Sequence, residues 1–266
     1  MNAGAINNSR GFTILELMIA TAIFLVLCAA MFGLLQMSQQ KYTSESQMTG
    51  AFQETRLAID QIVRDFNVAG YPAVSLFSSV PADSSKYALS PVAWDPNYAI
   101  SPCLVGSGVG GCATPGNFDL IVETDLGSGV SWIRYQLIGT TLYRSVVPKA
   151  AGADPVAETS AAGAMVPFLT NVMNNAQVAQ PALFAKIAGA YPAMFPGGNP
   201  QPIFKYTCDT PAGPQLCSTA GINGIPSNVR DVDITLIVMT RQPDLQTQLP
   251  KIVELTGRGH RVNPSN

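Results

Sequence analysis

Between Arg10 and Lys41 the chain carries a single charge, Glu16, and that charge stands at the entrance to an apolar run. Leu17 to Leu35 is nineteen residues without another charge. As a helix it would span roughly 28 Å at about 1.5 Å per residue, close to the hydrocarbon thickness of about 30 Å. No other stretch of the sequence constrains the fold as tightly. The run must be helical, and it must find apolar surroundings. A carboxylate at its mouth is costly unless a partner or a function retains it.

Three familiar kinds of segment fit poorly. A secretory signal peptide has a shorter apolar middle and a small-residue cleavage site after it. Here the one Ala-x-Ala, Ala20-Thr21-Ala22, lies inside the run. A lipoprotein signal ending at Cys28 would need a small residue before the cysteine, where Leu27 stands. A plain signal anchor leaves Glu16 unexplained. Arg10 and the initiator amine precede the span and Lys41 follows it, so the positive-inside rule favours a cytoplasmic start only slightly.

The order Gly11-Phe12-Thr13-Ile14-Leu15-Glu16, followed by the apolar run, resembles the processing site of type IV prepilins and pseudopilins. That resemblance implies cleavage after Gly11 by a membrane prepilin peptidase and N-methylation of the new terminus, Phe12. It also implies that Glu16 serves subunit assembly. Methylation preserves the positive charge of the amine, so the Phe12 amine of a neighbouring subunit can meet Glu16 once helices pack and water is excluded. An unpaired carboxylate there would cost several kcal/mol. The implied partners are the prepilin peptidase, the inner membrane before assembly, and other minor and major pilins through the N-terminal helix. The implied location is an inner-membrane single pass with a periplasmic head, and then the fibre at the cell surface.

Four segments follow from this reading: a leader over 1–11, a hydrophobic transmembrane and assembly helix over 12–35, its amphipathic continuation over 36–69, and a head over 70–266. The continuation is read from the residues. From Lys41 to Ala69 there is no proline, and Met48, Phe52, Ile59, Ile62, Val63 and Phe66 recur at helical spacings. Glu45, Gln53, Arg56, Asp60 and Arg64 mark a polar face. Gly70-Tyr71-Pro72 supplies a stop. One helix from Phe12 to Ala69 would measure about 87 Å. Gly33 and Gly50 are its soft points or, equally, sites of close helix packing. Many pilins carry a helix breaker near where Gly33 falls.

Beyond residue 72 the apolar period changes to that of strands. Phe118 to Thr124, Val130 to Leu137 and Leu142 to Val147 read as strands, the last two joined at Gly139-Thr140-Thr141. Ile133, Tyr135 and Leu137 share a face. Val229 to Thr240 alternates most clearly: Val232, Ile234, Leu236 and Val238 point one way, and Asp231, Asp233 and Thr235 point to solvent. Lys251 to Thr256 is a candidate neighbour. Short helices are expected near Leu169 to Val178 and Ala182 to Ala188. The 23 glycines and 20 prolines gather after residue 70, which points to a loop-rich head. The expected fold is α+β, a long helix laid across an antiparallel sheet.

Four cysteines lie beyond the span and allow three pairings. Local bridges, Cys103–Cys112 and Cys208–Cys217, each close a short loop, in keeping with an oxidising compartment. Zinc is the alternative, yet no Cys-x-x-Cys exists and His260 is the sole histidine. Cys28 reads as a small buried hydrophobe. Net charge is −2 with 12% charged residues, and no basic stripe suggests nucleic acid. No enzyme, cofactor, metal or small-molecule substrate is expected. His260 sits in a polar stretch read as solvated, Asp231 and Asp233 fall short of a calcium shell, and the glycine run Gly106 to Gly111 lacks the strand and helix a dinucleotide site needs.

Within the prepilin class, Ala69-Gly70-Tyr71, the hairpin Ile133-Arg134-Tyr135 … Leu142-Tyr143-Arg144 and the late strand resemble W-type (PilW-like) minor pilins. Related hairpins occur in J-type pseudopilins of type II secretion. The resemblance implies a minor pilin of the priming or tip complex, with a J-type pseudopilin or a tip adhesion module as the alternatives.

Overall fold

The structure is a computed structural model, and it describes residues 11–94, 98, 103–106, 111–161, 164–244 and 247–262. The expected leader, apart from Gly11, and the centre of the glycine run at 107–110 lie outside the described residues. The chain divides into two units, residues 1–46 and 47–266, and the first helix, α1 (Ile14–Asn67), contributes to both.

In the first unit, the stretch of α1 from Leu17 to Leu35 presents apolar side chains outward. Leu17, Ile23, Phe24, Leu27, Phe32 and Leu34 are all more than half exposed. Among the described residues, α1 is the one helix long and apolar enough to cross a membrane. The helix runs through Gly33 and Gly50 without interruption, and a Cβ at either position would meet nothing within 4 Å. Neither glycine is used for close packing within its own chain.

In the second unit two antiparallel sheets enclose the core. The first has the order β1 (Asp119–Asp125), β2 (Val130–Ile138), β3 (Thr141–Pro148), β4 (Val166–Leu169), with the short helix α2 (Pro155–Thr159) between β3 and β4. Helices α3 (Ala176–Ala179) and α4 (Pro181–Ala190) follow. The second sheet has the order β6-β5-β7-β8, built from β5 (Phe204–Cys208), β6 (Gln215–Leu216), β7 (Val229–Met239) and β8 (Ile252–His260). The fold is therefore α+β, a long N-terminal helix with antiparallel sheets.

The last turns of α1 bury Ala51, Thr55, Ala58, Ile59, Ile62, Asp65 and Phe66. Ile59, Ile62 and Phe66 join Leu120, Val122, Ile133, Tyr135, Ile234 and Leu236 in the main core. Two glycines of β8 make the approach possible. A Cβ at Gly257 would come within 2.3 Å of Ile59, and one at Gly259 within 2.9 Å of Phe66. This close seat corrects the expected apolar stripe, because Met48 and Phe52 are 43% and 42% exposed. The docking face is led by the small residues Ala51, Thr55 and Ala58, with Ile59, Ile62 and Phe66 beyond them. The bulkier Met48 and Phe52 fall on the flank.

Both sheets are covered on their second faces too. Phe184, Ile187 and Phe195 pack against Ile237 and Ile252, while Trp94 and Tyr98 pack with Ile121 and Trp132. The helix expected near Leu169 to Val178 forms only at its end, in α3 (Ala176–Ala179). Val166–Leu169 is a strand, and the following residues run along β7: Met173 N–H donates to Ile237 O at 2.7 Å, and Met239 N–H to Asn171 O at 3.0 Å. The buried Asn174 closes this seam, donating to Thr235 O (2.8 Å) and accepting from Ile237 N–H (2.9 Å). Backbone groups left open by the short β5 are thereby satisfied, a requirement that outweighs local helix propensity. α1 ends at Asn67, and Gly70 (φ +80°) donates its N–H to Glu123 O at 2.8 Å. That glycine turns the chain onto β1 rather than capping the helix.

Candidate functional site

At the N-terminal end of the described chain, Gly11, Phe12 and Thr13 precede α1 in non-helical backbone. Gly11 is exposed, and Phe12 is 90% exposed, so the peptide between them is open to a protease. Thr13 is the residue before the helix and Glu16 is its third residue. Thr13 N–H donates to Glu16 Oε2 at 2.9 Å, Thr13 Oγ1–H to the same oxygen at 3.0 Å, and Glu16 N–H to Thr13 Oγ1 at 3.2 Å. This reciprocal pattern is a capping box, which satisfies helix N–H groups that have no intrahelical acceptor. Glu16 thus has a local use: it closes the helix start and sets a negative charge against the positive end of the helix dipole. Thr13 went unnoticed in the sequence reading, although Thr13-Ile14-Leu15-Glu16 carries the Thr-x-x-Glu signature of such a box.

The notable charges of the second unit are buried and mutually satisfied. Tyr135 O–H (2.5 Å) and Arg144 (2.8 Å) both donate to Asp65 Oδ2, tying the end of α1 to the β2–β3 hairpin. Burial, together with the Asp65 charge, pushes the Tyr135 hydroxyl well above the usual tyrosine range. Arg134 grips Asp119 through two parallel bonds of 3.0 and 2.6 Å, the strong geometry for a guanidinium and a carboxylate. Glu123 and Lys149 form an ion pair with 0% and 1% side-chain exposure. Burial pushes the Glu123 carboxyl up, while Lys149 and the Tyr98 hydroxyl pull it back.

Two expectations for the late strands need correction. Asp231 is buried rather than solvated, and His260 is the last residue of β8 rather than part of a free polar stretch. The strands pair Asp231 with His260 across β7 and β8. Asp231 accepts from Arg258 at 2.8 Å, with the His260 ring on its other oxygen. Burial works against the Asp231 charge, but these two partners hold its pKa below the usual value. Asp233 stays half-exposed, 3.7 Å from Arg258. Among the described residues no cluster of three His, Cys, Asp or Glu side chains could hold a metal ion.

Disulfides join Cys103 to Cys112 and Cys208 to Cys217, with Cα separations of 5.3 and 4.9 Å. Within the first loop, Val105 N–H donates to Gly224 O at 2.7 Å, in the segment that follows Cys217. Cys28 is free and half-buried.

Residues 6–32 match the family model for the prokaryotic N-terminal methylation motif. No curated protein and no solved structure matches the chain. The matched segment contains Gly11, Phe12, the Thr13–Glu16 box and most of the apolar run, and it opens a helix long and apolar enough to cross a membrane. Together these observations indicate a type IV prepilin-like protein.

Proposed function

We propose that this chain is a W-type minor pilin, cleaved after Gly11 by prepilin peptidase, N-methylated at Phe12, and incorporated at the priming or tip complex of a type IV pilus. The methylation motif over residues 6–32 carries the reading. The exposed Gly11–Phe12 peptide suits cleavage, and the apolar surface of the first unit suits residence in the inner membrane and then among other pilin helices. The leader is 1–11, the membrane and assembly segment 12–35, its continuation 36–69 and the periplasmic head 70–266.

Cleavage creates a cationic amine at Phe12, next to the capping residue. A positive charge at a helix N-terminus is unfavourable, and Glu16 offsets it. Both Thr13 donors end on Glu16 Oε2. Oε1 is the oxygen for a neighbouring subunit's Phe12 amine. In this account Thr13 holds the carboxylate while the subunit waits, and the amine joins it when helices pack.

The W-type assignment draws on residues with a structural task. Arg134, Tyr135 and Arg144 anchor the hairpin to Asp119 and to Asp65 of α1. The head is a structural and assembly element in this reading, without an enzymatic site. Mass spectrometry of native material tests the core of the proposal. The expected N-terminal peptide begins at Phe12 with one added methyl group. A chain beginning at Met1, or cut inside the apolar run, overturns it.

A further inference from the structure

A fully enclosed ion pair of the head, Glu123 with Lys149, lies apart from the N-terminal machinery. Glu123 stands in β1 on the face that packs with Trp132, and Lys149 follows β3. Neither side chain reaches solvent. The two carboxylate oxygens have different surroundings. Oε2 accepts the Tyr98 hydroxyl and, at 3.4 Å, the Ser90 N–H. Oε1 faces Lys149 Nζ. Nζ also donates to Tyr87 O at 2.9 Å and lies 5.3 and 5.4 Å from the ring centres of Tyr87 and Tyr98.

This is an arrangement for acyl transfer as well as for an ion pair. Two donors on one oxygen are placed to stabilise negative charge developing there. The Lys149 amine is held at Oε1, one bond from the acyl carbon, and is fixed there by Tyr87 O. Burial pushes the Glu123 carboxyl toward its neutral acid, the form that an amine attacks.

We propose that Glu123 and Lys149 condense within the folded chain to an amide that staples β1 to the segment after β3. One proton passes from Nζ to Oε1. The Nζ lone pair then forms a bond to Glu123 Cδ, with charge gathering on Oε2 under Tyr98 O–H and Ser90 N–H. A second Nζ proton passes to Oε1, the Cδ–Oε1 bond breaks, and Oε1 departs as water. No electron donor or acceptor takes part. The remaining N–H keeps Tyr87 O as its acceptor, and Oε2 keeps both of its donors, so the product satisfies every polar atom that the ion pair did. Departure of water from a closed site opposes the reverse reaction.

The bond is read directly in a tryptic digest of the denatured, reduced full-length chain. Glu123 lies in peptide 87–134, and cleavage after Lys149 releases peptide 145–149. The amide blocks that cleavage. The expected product is 87–134 joined to 145–186, lighter than the two together by one water. Quantitative release of 145–149, with 87–134 alone at its sequence mass, overturns the proposal and leaves a plain buried ion pair. Lys149→Arg keeps the charge and removes the amine, so its 87–134 peptide is expected alone. Tyr98→Phe removes one donor to Oε2 and is expected to lower the cross-linked fraction at least tenfold at early times after folding. Full cross-linking in Lys149→Arg, or an unchanged rate in Tyr98→Phe, counts against the chemistry proposed.

Discussion

The two units treat buried charge in opposite ways. In the second unit, carboxylates enclosed by apolar residues meet their cations inside the same chain: Asp65 with Arg144, Asp119 with Arg134, Glu123 with Lys149. In the first unit the acidic residue at the mouth of the apolar run, Glu16, is bonded among the described residues to Thr13, three residues away. The apolar surfaces differ in the same sense. Phe66, Ile133 and Leu236 are fully buried within the second unit, whereas Phe24, Leu25 and Phe32 stand 64–67% exposed. One unit completes its own contacts. The other presents contacts that a membrane or a neighbouring chain must complete.

The sharpest break of this comparison is Asp65→Ala. Removing one member of a buried pair costs about 3–5 kcal/mol, because Arg144 and Tyr135 lose a shared acceptor. Urea unfolding of the detergent-solubilised chain should show that loss in the head. An unchanged midpoint would mean that α1 is held by apolar packing alone. Next comes Gly257→Ala, where the new methyl meets Ile59. Overpacking of this kind costs about 1–3 kcal/mol. The companion Ile59→Val in the Gly257→Ala background should return part of it, since it frees space at the same contact.

A smaller effect is expected from acid. The Asp231 pKa is depressed in the folded chain by its hydrogen bonds, from an ordinary 3.8. Its contribution is therefore present above about that value and fades as pH falls through the lower, folded pKa. Asp231→Asn should flatten the dependence of the unfolding midpoint on pH below 4, and a parallel curve would remove Asp231 from the acid response. Glu16→Ala should have the least effect on the head, within about 0.5 kcal/mol, while incorporation into fibres falls. Normal incorporation would show that the first unit, like the head, needs no outside partner for its charge.

Several head elements were legible because their apolar alternation is strong. The strands around Val122, Ile133 and Val232 lie close to where the periodicity puts them. The strand Phe204–Cys208 was not legible. It is only five residues long and gains its partners from β7 and Asn117, distant in the chain. Residues 171–174 misled for a related reason: their composition tolerates a helix, and only the open edge of β7 draws them out straight. Asp231 looked solvated because alternation reports a residue's face. It does not reveal whether that face is later covered by Arg258 and His260. Gly11, Phe12 and Glu16 stand out by type and spacing, and Thr13 could have been found by the capping signature.

Sequence alone determined the apolar helix, its lone acid and the motif at its start, since all three are local: hydropathy, helix period and cap chemistry act within a few turns of the chain. Tertiary structure decided which side of α1 is buried, which charges are enclosed and which partners they keep. Those outcomes depend on where β8 carries Gly257 and Gly259, and on what the β2–β3 hairpin brings to Asp65. Contacts between residues so far apart in the chain leave no periodic trace in the sequence, because they are set by the packing of whole elements.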